Sequence, residues 1–492
     1  MKRFLSLLLA LTLALALAIP ASADAYGYTV DGKDVGIIGS ADGPTFILVG
    51  EDLEADTVDG KDVGIIGSAD SPTFILVRED SEADAEAARA QREATITALG
   101  GTVGQTNVLL GNRCIAFTDA APEAKDGRTM VPLRATLEAM GATVGYDKAS
   151  KAAVVTGDKA SFTHVIGSDL ITLADGSTVK MDVASYATAA NRTMVPVRFF
   201  SQVLGYDVFW DNDYKMVFLL DRESFVKALD GRLSVLNGDL DRFAALSDSA
   251  KSVWEQAKLG GTVKRSDEKG KHSAELSGSL ATLRDGNGTA LRLELDLSRA
   301  LELLSGAELL PQDYRALLGR FKLELCMGEK TYLRSAFYDY LFSGGVSARD
   351  DVWYAFEDGD DGTALLRRLN SQAGERSVGG ALYAMLEQGD ANHFYETWRR
   401  TTATARVLES LFGDGVLTRA GKDLCWSFGP DELADLLNAL TGRTDLSAQT
   451  LKATSGAELS MEWRLTDVRA TGDKPVIAPH DGATVITIPA VR

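Results

Sequence analysis

The stretch GRTMVPLR at residues 127–134 returns as NRTMVPVR at residues 191–198. The same offset relates Gly141 to Gly205. A repeat of this length with a fixed register indicates one supersecondary unit used twice, and such a unit does not bury its apolar face alone. We therefore predict that the two segments fold against each other as one paired module.

Each copy has the pattern of a strand, a helix and a hairpin. The β-prone triplet Thr-Met-Val precedes Pro132 or Pro196, and proline suits the first turn of a helix, where its missing N–H would be unpaired anyway. Gly141 and Gly205 stand where a residue in the left-handed conformation ends a helix at low cost. The predicted helices cover 132–140 and 196–204, and the predicted hairpin strands cover 142–146 with 152–156 and 206–210 with 215–220.

This pattern resembles the copper amine oxidase N-terminal-like domain, also called a stalk domain, of secreted proteins from Gram-positive bacteria. The resemblance runs from about Asn107 to Asp221, with Gly145-Tyr146 where tryptophan is more usual. It implies a non-catalytic appendage, and the stretch has no copper ligands and no quinone-forming tyrosine motif. The residues that carry the resemblance are Arg128, Pro132, Arg134, Gly141, Arg192, Pro196, Arg198 and Gly205.

The four arginines of the motif allow two interpretations. Arg128, Arg134, Arg192 and Arg198 are the residue type that binds anions. They are also suited to pairing with acidic groups of the fold, such as Glu138, or to capping loop carbonyls. We favour the second interpretation, which makes them structural.

Composition limits the possible partners. The chain has 492 residues, 45% of them hydrophobic, and a net charge of −19. This length exceeds one ordinary domain, and the apolar content is enough for substantial cores. The acidic balance argues against nucleic acid and anionic membrane surfaces, because phosphate neutralisation needs clustered Lys and Arg. It suits either calcium binding or simple solubility, and we favour solubility.

Residues 1–23 have the features of a secretory signal peptide. Lys2-Arg3 precede an apolar run that ends near Ile19, and small residues follow at Ala21 and Ala23. No cysteine lies at the junction, no later run is long enough to span a bilayer, and no LPxTG-like tail is present. We predict a secreted, extracellular protein whose association with the cell surface, if any, is noncovalent.

A second repeat occupies residues 24–77. Residues 29–49 recur at 57–77 with a single change, Gly43 to Ser71. The core GIIGSADGPT resembles a motif of the membrane β subunit of sodium-pumping decarboxylases, where an aspartate lies in the ion path. That function needs a bilayer and flanking apolar helices, so we favour tandem β-hairpin-like units with Asp42 and Asp70 in turns. Residues 78–101 then form an acidic, Ala-rich linker with helical propensity.

The C-terminal region, residues 222–492, has a different pattern. Apolar residues alternate with polar ones over 291–297, 321–327 and 459–465, which predicts antiparallel strands. Helical patterns cover 243–254, 362–412 and 431–440. We predict an α+β domain of unknown function, an antiparallel sheet covered by helices, with a loose architectural likeness to half-barrel lipid carriers. Its aromatic residues either line a cavity or, as we favour, fill a core: Tyr332, Phe337, Tyr338, Tyr340, Trp353, Tyr354 and Phe356.

No motif for catalysis, cofactor binding or metal binding emerges from the chain. The four histidines are widely separated and fit no HExxH motif, and CxxC and a nucleophile elbow are absent. The acidic run at 358–362 lacks the glutamate that an EF-hand needs, because Leu369 stands at the twelfth position. Of the three cysteines, Cys326 and Cys425 are either bridged or, as we favour, buried thiols together with Cys114.

Two functional hypotheses follow. The favoured one is a secreted, non-catalytic cell-envelope protein whose stalk or docking module presents a C-terminal domain that binds a ligand or partner, such as a cell-wall component, a lipid or another envelope protein. The alternative is a secreted hydrolase that acts on cell-wall or environmental polymer through residues 222–492.

Overall fold

The computed structural model describes two compact units of the chain. The module unit consists of described residues within 78–227 and 386–399, and the sheet unit consists of those within 1–77, 228–385 and 400–492. The predicted signal peptide, the turns with Asp42 and Asp70, and the acidic run at 358–362 lie outside the described residues. The described ranges are six strands within 27–76, then 82–238, 253–285, 288–304, 312–328, 330–343, 347–356, 377–390, 392–421, 423–441, 444–469 and 476–488.

The N-terminal segment forms two sets of three short strands. In each set the second and third strands are antiparallel, with Val35 opposite Leu48 and Val63 opposite Leu76. The strands are β1 (Gly27–Val30), β2 (Lys33–Ser40), β3 (Gly43–Leu48), β4 (Asp56–Val58), β5 (Lys61–Ile66) and β6 (Thr73–Leu76).

Most of the segment predicted as a linker is helical. Helix α1 (Glu82–Ala98) is rich in Ala, Glu and Arg, which have high helix propensity. Its Ile96 is buried, and Leu99, just beyond the helix, accepts a hydrogen bond from the backbone N–H of Cys114. The helix therefore packs within the module unit.

The rest of the module unit is built from short strands and two short helices. Its strands form three small sheets, in the orders β16-β17-β10-β9, β11 to β15, and β18-β19-β7-β8. The elements are β7 (Asn107–Leu110), β8 (Arg113–Cys114), β9 (Glu123–Lys125), β10 (Arg128–Pro132), α2 (Leu133–Ala139), β11 (Thr143–Asp147), β12 (Ala152–Thr156), β13 (Phe162–Val165), β14 (Leu170–Leu173), β15 (Thr178–Lys180), β16 (Tyr186–Ala187), β17 (Thr193–Pro196), α3 (Phe199–Leu204), β18 (Asp207–Asp211) and β19 (Met216–Leu220).

The two arginine-containing segments meet in the middle of one four-stranded sheet of the module unit. Strands β10 and β17 pair antiparallel, with Val131 opposite Val195. Both valines belong to one hydrophobic core that also contains Leu137 of α2 and Phe199 of α3. Residues from both segments therefore share a single core.

The prolines end strands instead of opening helices. Pro132 has an extended backbone, and α2 begins at the next residue. In the second segment the N–H of Val197 donates to the carbonyl of Thr129, which keeps the chain bound to β10, so α3 begins only at Phe199. This helix is shorter than the predicted 196–204. Gly141 (φ 85°) and Gly205 (φ 68°) adopt the left-handed conformation at the helix ends.

The sheet unit contains a 13-stranded sheet in the order β26-β27-β28-β20-β21-β22-β23-β24-β25-β29-β1-β2-β3, antiparallel except where β25 and β29 pair. With its helices, it makes the fold α+β. The remaining elements of the chain are α4 (Arg222–Arg232), β20 (Val253–Asp267), β21 (Gly270–Asp285), β22 (Gly288–Asp296), α5 (Ser298–Leu304), α6 (Gln312–Gly319), β23 (Arg320–Met327), β24 (Thr331–Arg334), α7 (Ala336–Phe342), β25 (Trp353–Phe356), α8 (Val378–Glu387), α9 (Phe394–Phe412), β26 (Leu417–Ala420), β27 (Asp423–Phe428), α10 (Pro430–Thr441), α11 (Ala448–Ser455), β28 (Ala457–Arg469) and β29 (Val485–Ile488).

The alternating segments form strands as predicted, within β22, β23 and β28. The helix predicted over 243–254 is wrong at its end, because Trp254 lies in β20 and pairs with Leu283 of β21. Within the predicted helical region 362–412, α8 and α9 form, whereas 362–376 lie outside the described residues. Among the described residues, no helix combines the length and apolar character that crossing a membrane requires.

Tyr338, Trp353, Tyr354 and Phe356 are buried, as a filled core requires, and the other three aromatics are half-buried. All three cysteines are free thiols, but each is half-buried and not fully buried as predicted. Cys326 on β23 and Cys425 on β27 are separated by four intervening strands, which at about 4.8 Å per strand is far beyond disulfide reach.

Candidate functional site

Three of the four motif arginines bind acidic groups of the module unit. The Nε atom of Arg128 donates to Oδ2 of Asp182 at 2.5 Å, and Nη1 of Arg198 lies 4.0 Å from the same oxygen. Asp182 follows β15, so this carboxylate connects the central strand pair to the sheet that contains β15. Arg192 pairs with Asp119, Nη2 to Oδ2, at 2.7 Å.

Glu138, the example of an acidic partner given for these arginines, forms an ion pair with none of them in the described part of the chain. The carboxylates that pair with them are Asp182 and Asp119, which are distant in sequence from Arg128 and Arg192. Helix spacing could not identify such distant partners. All three arginine side chains are at least 40% exposed, so each ion pair contributes no more than about 1 kcal/mol to folding.

Arg134 differs from the other motif arginines because it lines an open groove. This groove has a volume of about 1040 Å³ and lies between β8 with its following loop, the start of α2, the β11–β12 hairpin and residues 191–193. Its charged lining residues are Arg113, Arg134, Lys151, Arg192, Asp119 and Glu138.

The charges of the groove are not balanced. Asp119 neutralises Arg192. In the described part of the chain, Arg113, Arg134 and Lys151 have neither an ion pair nor a side-chain hydrogen bond, and Glu138 is the one remaining carboxylate of the lining. The groove therefore carries an excess of positive charge in a chain whose net charge is −19.

Two turns and one aromatic ring shape this groove. Lys151 (φ 52°) and Asn191 (φ 56°) both have left-handed backbones, which is uncommon for residues other than glycine. Tyr146 is 48% exposed, so its ring is available at the groove. Cys114 also lines the groove, but burial raises the pKa of its thiol to about 11, so the thiol stays protonated and unreactive near neutral pH.

The residues of the module do not fit a copper ion. His164, the one histidine between residues 102 and 221, is buried, with Nδ1 2.9 Å from the carbonyl oxygen of Leu170 and Nε2 2.7 Å from Oγ of Ser185. Both ring nitrogens therefore have hydrogen-bond partners. Across the described residues, no three His, Cys, Asp or Glu side chains are close enough to share a metal ion.

Residues within 386–399 cover one face of the β18–β19 hairpin. Phe394 stacks on Phe209 with ring centroids 4.0 Å apart and meets Phe218 edge-on at 4.9 Å. The Tyr395 N–H donates to Oδ2 of Asp211 at 2.8 Å, and Asp211 is buried. This segment, which was predicted as part of the C-terminal domain, therefore packs within the module unit through aromatic rings and a backbone hydrogen bond.

A signal for this covered face was present in the sequence. Strand β19 (Met216–Leu220) is apolar at every position, and every residue of it is buried. Continuous apolar runs indicate a strand that is covered on both faces. Strand β12, its counterpart in the first segment, exposes Val154 and Thr156, as expected for a half-covered strand.

Comparison with known proteins agrees with the resemblance drawn from the arginine motifs. The comparison with curated proteins found no match for the chain. Residues 109–219 match the family model of the copper amine oxidase N-terminal domain, so this part of the chain is a copper amine oxidase N-terminal-like domain.

Proposed function

We propose that this chain is a secreted, non-catalytic protein of the cell envelope. In this proposal the module unit is a stalk or docking module, and the sheet unit engages a ligand or an envelope partner. The main support is that three motif arginines form ion pairs within the module unit. Arg128 and Arg198 pair with Asp182, and Arg192 pairs with Asp119. Because these arginines pair with acidic groups of the fold itself, they favour a structural role for the module unit.

We further propose that the module arose by duplication of one strand-helix-hairpin unit. The support is the order of elements, because β10, α2, β11 and β12 are matched by β17, α3, β18 and β19 at nearly the offset that separates the two arginine motifs. The β10–β17 pairing and the shared core are consistent with two copies that need each other for burial.

The proposed location rests on the N-terminal sequence. The signal-like residues 1–23 favour export of the chain. N-terminal sequencing of protein from culture medium and from washed cells tests this step. We expect a new terminus after Ala23 or the next alanine, Ala25, whereas an uncleaved chain confined to the cytoplasm would contradict export.

The binding function is tested with the full mature chain and purified cell-wall sacculi. We expect the chain to sediment with the sacculi and to release no soluble reducing sugar or peptide. Release of such fragments would refute the non-catalytic proposal and favour the hydrolase. A chain that stays in the supernatant and cleaves nothing would remove the wall as its docking partner.

A further inference from the structure

We propose that the groove between β8, α2 and the β11–β12 hairpin binds a polyanionic glycan, a sugar polymer that carries phosphate or carboxylate groups. The inference rests on the proposed role of the module as a docking unit and assigns a ligand class to it. It depends on the shape of the groove, its charge and its one exposed ring.

The groove has the size and form for a segment of polymer. Pockets that enclose small molecules typically measure about 300–1,000 Å³. At about 1040 Å³ this groove is at the upper end, and it is lined by residues from separate parts of the chain between 110 and 193. A large, open recess suits several consecutive units of a chain whose ends continue into solvent.

The charge of the groove selects an anion. Arg113 belongs to β8, Arg134 to α2 and Lys151 to the β11–β12 turn, so three separate elements bring to one recess cations that have no ion pair among the described residues. Because the chain as a whole is strongly acidic, a polyanion is repelled from most of the surface and directed to this site. Arginine is suited to phosphate and carboxylate because its planar group donates two parallel hydrogen bonds.

The remaining lining favours sugar as the carrier of these anions. Tyr146, 48% exposed, offers an aromatic face to the apolar face of a sugar ring. Asn191, Thr193 and Glu138 supply donors and acceptors for hydroxyl groups. A nucleic acid would need a longer basic track than three cations, so it stands as an outcome of the test.

The experiment measures binding of the full chain to defined polymers by affinity electrophoresis. Phosphorylated dextran and polygalacturonate are sugar polymers that supply phosphate and carboxylate, unmodified dextran is the neutral control, and single-stranded DNA tests for nucleic acid. We expect binding to one or both anionic polymers, weakening as salt rises, and none to dextran. Equal retention by dextran, or tighter binding to DNA, would overturn the assignment.

Variants then locate the site. We expect Arg113→Gln, Arg134→Gln and Lys151→Gln each to weaken binding about tenfold, the size of one charge-assisted hydrogen bond. The matched control is Arg198→Gln, which removes an exposed motif arginine outside the groove. Equal loss in the control would show that net charge alone acts, and this would refute the groove as the site.

A variant with the opposite expected effect guards against loss of folding. Glu138→Gln removes the one unpaired carboxylate of the described lining, so we expect tighter binding of the anionic polymers. Unchanged or weaker binding would count against the inference. The two proposals fail separately: sacculi that do not retain the chain refute wall docking, whereas purified polymers that are not bound refute the ligand class.

Discussion

Replacing Phe394 by alanine should destabilise the module unit, although Phe394 lies far beyond β19 in the sequence. The Phe394 side chain is fully buried, stacked on Phe209 and edge-on to Phe218. Phe to Ala changes in cores cost about 3–5 kcal/mol, and each favourable ring pair accounts for about 0.5–1.5 kcal/mol of this. We therefore expect the opening free energy of the β18–β19 hairpin to fall by about 3 kcal/mol or more.

Amide hydrogen exchange, read by mass spectrometry on peptides that cover β18 and β19, measures this directly. Exchange reports the opening free energy of each region separately, so the module unit can be followed within the full chain. A loss of about 3 kcal/mol corresponds to exchange more than a hundredfold faster in these peptides. Amides of β21 and β22, in the sheet unit, serve as the internal reference.

The matched control is Tyr146→Ala, which removes an aromatic ring of the same unit that is 48% exposed. We expect that change to cost less than about 1 kcal/mol. A double-mutant cycle with Phe209→Ala isolates the ring contact, since residues in contact give non-additive effects of about 0.5–3 kcal/mol. If Phe394→Ala accelerates exchange no more than the control, residues 386–399 do not cover the hairpin.

Three further predictions concern buried titratable groups, each measured by urea unfolding of the full chain. Burial alone would raise the pKa of Asp339, but hydrogen bonds from Arg349 and its neighbours hold this pKa below its usual value. The folded state is therefore stabilised by the ionised carboxylate, so Asp339→Asn should have its full destabilising effect at pH 7. This effect should shrink as the pH falls below about 4. Burial lowers the pKa of His164, so the module unit should lose stability as the pH falls below about 6.5, and His164→Gln should remove that slope. Glu324→Ala leaves two arginines on the sheet without their shared carboxylate and should cost about 3 kcal/mol, against less than about 1 kcal/mol for the exposed Glu462→Ala.

Local signals in the sequence were enough for the hairpin strands that follow the two arginine motifs. β propensity predicts that the second strands of the two hairpins cover 152–156 and 215–220. The observed strands β12 and β19 differ from these ranges by at most one residue. Gly141 and Gly205 were predicted to end helices, and both adopt the left-handed backbone that this role requires. These features depend on a few neighbouring residues, so they can be inferred without the tertiary structure.

Long-range partners could not be inferred in the same way. The start of α3 depends on a hydrogen bond from Val197 to Thr129, and the motif arginines depend on Asp119 and Asp182. None of these pairs follows from helix or strand spacing, because each joins residues that are far apart in the chain. The groove was missed for the same reason, since its lining comes from separate elements between residues 110 and 193.

The β11–β12 and β18–β19 hairpins of the module have the same fold but differ in whether one face is covered. Phe209 and Phe218 lie opposite each other on β18 and β19, and at the corresponding positions of the first copy Gly145 and Val154 lie opposite each other on β11 and β12. The phenylalanine pair is covered by Phe394, whereas Val154 remains 40% exposed. Large rings at these two positions would form an exposed apolar patch if nothing covered them. A glycine in the covered hairpin would instead leave a cavity beneath the covering side chain. The residue types at these positions therefore indicate which hairpin is covered. The uncovered hairpin, β11–β12, is the one that borders the basic groove.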